Sequence, residues 1–255
     1  MDTNVLVIEQ KNAIATITFN RPDAFNSLDV ELAQALRDAC QSLAENDSVK
    51  VVILKGAGRA FMAGGDLHAL REAPVDALNQ LIPPVHEAVE YIANMPKPVI
   101  ACVHGAAAGA GLSIALAADF VIAADSARFS FAYSDIAASG DAGITWTLPR
   151  LVGMRQALAV AMLGTPMRME QAQRLDLVTQ VVAADELEVS TLALAEQLAA
   201  RATYALGHIK KLIRQSQHNT LKQQLDAEYA SFVACAQQPE FTQAIDAFFA
   251  KRGSK

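Results

Sequence analysis

The sequence predicts an α/β core that gives way to a helical C-terminal section, and three observations carry that reading. Short continuous apolar runs, "VKVVILKG" (49–56), "KPVIACV" (97–103) and "FVIAA" (120–124), have the composition of strands buried on both faces of a sheet. Helical spacing of apolar residues separates such runs, as crossover connections between parallel strands require. After "LVTQVVA" (177–183) the strand pattern stops and only helical patterns follow.

Each element follows from its residues. Segments 5–8 and 13–19 open the chain as β structure, the second setting Ile14 and Ile17 against Thr16 and Thr18. "NRPDAFNS" (20–27) is a loop, since Asn20, Pro22, Asp23 and Asn26 are turn formers. Ser27 or Asp29 then caps a helix whose apolar stripe is Leu32, Ala35, Leu36, Ala39 and Leu43. "ARFSFA" (127–132) is a further short strand. Helices are expected over 154–163, 169–175, 185–202, 206–217, 220–237 and 240–252. The α/β core therefore covers 1–190, and the helical region 191–255 packs on that core or on a neighbouring subunit.

Composition narrows the functional classes. Apolar residues make up 52% of the 255 residues and charged ones 19%, enough for a sizeable core. A net charge of −6 argues against nucleic acid or an anionic membrane as the partner. Cys40, Cys102 and Cys235 follow no C-x-x-C spacing and read as small hydrophobes in a reducing compartment. No basic flank leads into an apolar stretch at the N-terminus, so a cytoplasmic location is expected. The apolar segment 99–124 is broken by His104, Asp119 and three glycines, and reads as strand, turn and buried helix.

Two glycine clusters, "AGGDL" (63–67) and "GAAAGAGLS" (105–113), each follow a strand and precede a helical pattern. Such junctions expose N–H groups that favour negative charge, although a plain turn explains either cluster alone. A dinucleotide fingerprint on Gly109 and Gly111 fails at Ile114, where a third glycine is needed. Asp141, in the glycine-flanked turn "SGDAGITW" (139–146), reads as a helix N-cap or as a catalytic carboxylate; Asp66 is open to the N-cap reading too. Asp119 and Asp125 look like turn residues, and His104 like a core histidine bonded to backbone. His68 and His86 matter only if their segments line one cavity. No histidine pair has metal-ligand spacing, so no metal is expected. Ser113 lacks the G-x-S-x-G surroundings of a hydrolase nucleophile.

Together the motifs are more specific. "NRPDAFNSL", "VVILKGAGRAFMAGGDL", "MPKPVIACVHGAAAGAGLSIALAADFVIAADSARF", "TWTLPRLVGMRQALAVAMLG" and the tail "AFFAKR" have the order and spacing of the enoyl-CoA hydratase/isomerase (crotonase) superfamily. The resemblance covers essentially the whole chain, and is greatest to the ring-1,2-epoxyphenylacetyl-CoA isomerase group through "AAGAG" and the aspartate five residues before Trp146. It implies a spiral of ββα units with a helical trimerisation region, a homo-trimer or hexamer, and an acyl-CoA thioester as ligand, with no cofactor beyond the coenzyme A of the substrate. It implies an oxyanion hole from the N–H groups of Gly65 and Ala110. Ala24, Phe25, Ala63, Asp66 and Leu67 fall at positions that bind CoA, and Phe248 and Lys251 where the last helix reaches a neighbour's CoA.

The departures from the family pattern matter as much. Ser113 and Tyr133 stand where hydratases carry their two glutamates. Asp141 coincides with the aspartate of isomerases and dehalogenases, and His86 with the histidine base of 4-chlorobenzoyl-CoA dehalogenase, where a tryptophan stands at the place of Tyr133. Ala110 and Ile144 replace more usual glycines and narrow the pocket floor, and Met62 adds an apolar wall. The resemblance thus implies an isomerase that shuttles a proton through Asp141. Its alternatives are a hydratase or dehalogenase using Asp141 with His86, and a catalytically idle CoA-binding subunit.

Overall fold

The structure is a computed structural model that describes residues 4–253, with side chains up to residue 250 apart from that of Ala69. The chain opens with β1 (Leu6–Lys11) and β2 (Ile14–Phe19), an antiparallel hairpin whose turn places Asn12 in the left-handed region. Then α1 (Val30–Glu45) leads to β3 (Val51–Gly56). The Asp29 carboxylate caps α1 by accepting from Leu32 N–H at 2.8 Å. Next come α2 (Leu67–Glu72), α3 (Pro74–Asn94), β4 (Val99–Val103), β5 (Ala106–Ala108), α4 (Ala110–Ala117), β6 (Phe120–Ala124) and β7 (Arg128–Ser130).

Two adjoining helices, α5 (Ile144–Val152) and α6 (Met154–Leu163), follow, then β8 (Met167–Arg168), α7 (Met169–Arg174) and β9 (Gln180–Val182). The chain ends in α8 (Leu187–Ala199), α9 (Thr203–Gln215), α10 (Leu221–Ala236) and α11 (Pro239–Gly253).

The main sheet has six strands in the order β1-β2-β3-β4-β6-β9, and from β2 onward every pairing is parallel. A second, three-stranded sheet runs β5-β7-β8. β4 is buried along its length and β3 at every residue but the half-buried Lys55, which is why their sequences run apolar instead of alternating. The core is closed by Phe19 and Phe61, whose rings meet edge to face at 5.4 Å.

The expected boundary near residue 190 falls inside α8, which packs on the main sheet and pairs Glu188 with Lys55 at 2.8 Å. Asp119 is more than a turn residue. It accepts Val99 N–H at 2.9 Å and forms ion pairs with Lys210 at 2.7 Å and Arg214 at 2.8 Å, pinning α9 to the core. Burial pushes the Lys210 amine below its ordinary value, and the charge of Asp119 opposes the shift. Among the described residues no helix is long and apolar enough to cross a membrane.

The helix α3 is the largest element the sequence pattern does not reveal. Pro83 and Pro84 lie inside it, where proline normally breaks a helix, yet it runs for 21 residues and buries Leu81, Val85, Ala88 and Ile92. Packing along its length against α1 overrides the local penalty.

Candidate active site

Two glycine-rich loops are held side by side by backbone bonds. Met62 N–H donates to Ala106 O at 3.1 Å and Ala108 N–H donates to Met62 O at 3.0 Å, so β5 acts as a splint between them. Gly64, at φ +106°, lies so close that a Cβ there would sit 3.2 Å from Ala108 O. At Gly111 a Cβ would fall 2.2 Å from Met62 O, and only glycine allows that approach.

The same ladder aims the N–H groups. Leu28 N–H donates to Gly64 O at 2.7 Å and Asp66 N–H donates to Leu28 O at 2.8 Å, so the bridge uses the peptides on either side of Gly65. The N–H of Gly65 itself therefore points the other way. Ala110 is the first residue of α4, where no intrahelical acceptor exists for its N–H. Among the described residues neither N–H makes a backbone hydrogen bond. Both remain able to meet a ligand oxygen.

The carboxylate comes from a separate segment of the chain. Asp141 lies just before α5, whose N-cap is Gly143 with no side-chain cap, so the N-cap reading of Asp141 does not hold. Its Oδ1 instead meets His86 Nε2, on α3, at 2.7 Å. The imidazole side chain is 50% exposed and the carboxylate 30%, leaving both within reach of a ligand. Sequence spacing gives no hint of this pair, which is 55 residues apart and depends on the unrevealed α3.

Behind Asp141, Ser113 and Tyr133 are buried with their hydroxyls 3.0 Å apart. Ser113 Oγ donates to the Asp141 carbonyl at 2.9 Å and lies 3.2 Å from Gly109 O; Tyr133 O–H reaches the Asp141 carbonyl at 3.2 Å. Burial pushes the Tyr133 phenol well above its ordinary value, with the Ser113 bond opposing, so it stays a neutral donor. Ser113 has carbonyls and a phenol around it and no base, which removes the nucleophile reading.

The expected CoA-side residues gather at the mouth of the first loop. Ala63 N–H donates to Phe25 O at 3.1 Å, tying "NRPDAF" to "AGGDL". Arg21 locks the junction through ion pairs to Asp66 at 3.2 Å and Asp29 at 3.0 Å, and a bond to Ser27 O. Asp66 also caps α2 through His68 N–H at 3.1 Å, as its N-cap reading requires. The side chains of Phe25 and Leu67 are exposed, and Arg59 covers the Phe25 ring at 4.7 Å. Asn26 is wholly buried and supports this loop. It accepts from Arg21 N–H at 2.9 Å and donates to Ala57 O and Ala60 O at 2.9 and 2.8 Å.

Other expectations land elsewhere. His104 is half-buried, not a core residue: its Nε2 lies 3.0 Å from Gly58 O, the expected backbone contact, in a groove that neither Asp141 nor His86 lines. Trp146 is exposed, with Arg150 over its ring at 4.0 Å, and lines a 380 Å³ cleft against α9 that excludes Asp141 and His86. Met62 and Ile144 are fully buried. Phe248 lies on α11 with its ring against Phe249 at 5.8 Å; Lys251 lies outside the residues whose side chains are described. Among the described residues no cluster of metal-ligating side chains occurs.

Comparison with known proteins gives the class of the chain. The enoyl-CoA hydratase/isomerase profile matches residues 9–255, and the chain belongs to that family, the crotonase superfamily, whose enzymes act on acyl-CoA. It is 37% identical to the 1,2-epoxyphenylacetyl-CoA isomerase of Escherichia coli K12, across 95% of this chain and 94% of that one. Identity to 4-chlorobenzoyl coenzyme A dehalogenase-2 of an Arthrobacter species is 28%, across 96% and 90%. The crystal structure of an enoyl-CoA hydratase from Polaromonas sp. JS666 superposes with a TM-score of 0.91 at 37% identity, covering 96% and 97% of the two chains.

Proposed function

We propose that the protein is an acyl-CoA isomerase in which Gly65 and Ala110 N–H groups form an oxyanion hole and Asp141 moves the proton. The observation that carries this reading is the partly exposed carboxylate of Asp141, whose peptide carbonyl is held by Ser113 and Tyr133, the residues that stand where a hydratase has glutamates. On a 3-enoyl-CoA, Asp141 takes a proton from the α-carbon. The electron pair moves into a dienolate whose thioester oxygen accepts the two N–H bonds. The same proton returns to the γ-carbon, leaving the conjugated 2-enoyl-CoA. One acid/base of this kind contributes ~10²–10⁴ in rate and each N–H donor about 10²–10³. Hydration by a glutamate pair is not open to this site, since Ser113 and Tyr133 stand at those positions and their hydroxyls are bonded to each other and to the Asp141 carbonyl.

Ala24, Phe25, Ala63, Asp66 and Leu67 are assigned to the CoA moiety in this reading, with Phe248 and Lys251 completing it from a neighbouring protomer. Coenzyme A enters only as part of the substrate. The region 191–255 is the assembly region of a cytoplasmic homo-trimer or hexamer. The apolar stripe Leu221, Leu225, Tyr229 and Phe232, exposed along α10, supports that assignment.

The test is purified protein with trans-3-hexenoyl-CoA and ring-epoxyphenylacetyl-CoA, followed by absorbance and mass, beside Asp141→Asn. Isomerisation by the wild type and its loss in the variant are expected; equal turnover by both would sink the assignment.

The 2.7 Å contact between His86 and Asp141 favours a second reading. In its dehalogenase form the Asp141 carboxylate bonds to the aryl carbon, chloride leaves, and water that gives a proton to His86 cleaves the aryl ester and restores Asp141. In its hydratase form Asp141 aligns the water and His86 takes its proton. Halide release from 4-chlorobenzoyl-CoA, or a gain of water on crotonyl-CoA, separates that chemistry from isomerisation. Binding of CoA with no turnover of any of these substrates would mark an idle subunit.

A further inference from the structure

We infer that Ser113 and Tyr133 are positioning residues: they hold the peptide carbonyl of Asp141 and thereby aim its carboxylate at the substrate carbon. The inference rests on the isomerase reading of Asp141 and adds a use for two hydroxyls that reading leaves idle.

Hydrogen-bond accounting supports it. The Asp141 carbonyl has two lone pairs and three donors in range: Ser113 Oγ at 2.9 Å, Tyr133 O–H at 3.2 Å and Ile144 N–H at 3.2 Å. One arrangement uses every hydrogen once and fills both lone pairs. Tyr133 donates to Ser113 Oγ across 3.0 Å, Ser113 donates to Asp141 O, and Ile144 N–H takes the remaining lone pair. Both hydroxyls are buried, so water does not substitute for either. If Ser113 is lost, Tyr133 is already in range of the same carbonyl; if Tyr133 is lost, Ser113 still donates.

The backbone explains why such a tether is needed. Ala142 at φ +51° and Gly143 at φ +77° follow Asp141 in the left-handed region, and Ala132 and Ala137 at +55° and +56° flank Tyr133. Alanine adopts that conformation only when its surroundings hold it there. The anchor is α4, whose first residue is Ala110 and which carries Ser113 one turn on. Such spacing places both on one side of the helix. One helical turn therefore sets the separation between the N–H that meets the thioester oxygen and the carbonyl behind the base.

The experiment measures kcat and KM for trans-3-hexenoyl-CoA in Ser113→Ala, Tyr133→Phe, the double variant, and each combined with Asp141→Asn. Both single changes are close to isosteric, and the Phe131–Tyr133 edge-to-face contact at 5.2 Å survives in Tyr133→Phe, so folded protein is expected. Each single variant should lower kcat about three- to tenfold with KM unchanged. The double should lose more than the product, about a hundredfold or beyond, because each hydroxyl covers for the other. In the Asp141→Asn background the same changes should lower the residual rate no further, since they act through that carboxylate. Wild-type kcat in the double variant, or an equal proportional loss with and without Asp141, would overturn the positioning role. An active Asp141→Asn would overturn the isomerase reading instead, and the two failures are distinct.

Discussion

The proposed site assigns its N–H donors to segments 62–66 and 106–110 and its carboxylate to segment 133–143, and the two are built differently. The first pair is dense in glycine, splinted by β5, and held by main-chain bonds whose partners are also main chain. The second bends through left-handed alanines and is held by side chains, Ser113 and His86 from outside it and its own Tyr133. Backbone donors need space and register, and are indifferent to which side chain they carry. A carboxylate needs partners from distant elements, so its geometry is spread over several positions.

Substitutions sharpen this contrast. The largest effect is expected at Asp141→Asn, a ~10²–10⁴ loss of kcat with KM nearly constant, read by isomerase assay. Next is Ala110→Pro. Proline suits the first position of a helix and deletes only the N–H, so kcat should drop about 10²–10³ with the melting temperature held. A large loss of melting temperature there would break the claim that the donor is separable from the fold.

Within the donor loops, Gly111→Ala should destabilise by about 1–3 kcal/mol, because its Cβ would meet Met62 O at 2.2 Å. Gly65→Ala should melt like wild type, since a Cβ there meets nothing nearer than a Leu70 methyl at 3.7 Å. Comparable melting curves would contradict the backbone account. The smallest effect is alkaline. Burial pushes the Cys40 thiol from 9.0 up to about 12, so the folded protein keeps a proton that the unfolded chain loses. Stability from this source is complete below pH 9.0 and lost as pH rises toward 12. Urea melts of Cys40→Ala should show a flatter alkaline limb than wild type.

Much of this was legible in the sequence for a physical reason. Continuous apolar runs report two-sided burial, and β3, β4 and β6 fall where "VVILKG", "VIACV" and "FVIAA" stand. Glycine reports close backbone approach, and both donor loops were visible through it. The two-residue strand β8 and the three-alanine β5 were not, because pairing partners define such short strands and propensity does not. Residues 74–94 hid behind Pro83 and Pro84, so spacing gave no sign that His86 meets Asp141, and only the resemblance set the two together. Asn26 read as a turn former, yet its amide bonds are what bury it.

The helix α4 has one more implication, for folding. All eight of its residues are buried and it has no polar face, and a helix so short has little stability of its own in water. It exists only once the sheets around it have condensed. The first N–H of that helix and the hydroxyl one turn along it should therefore arise late and vanish together. Catalytic competence and the global unfolding transition should coincide in denaturant, with no inactive but folded intermediate between them.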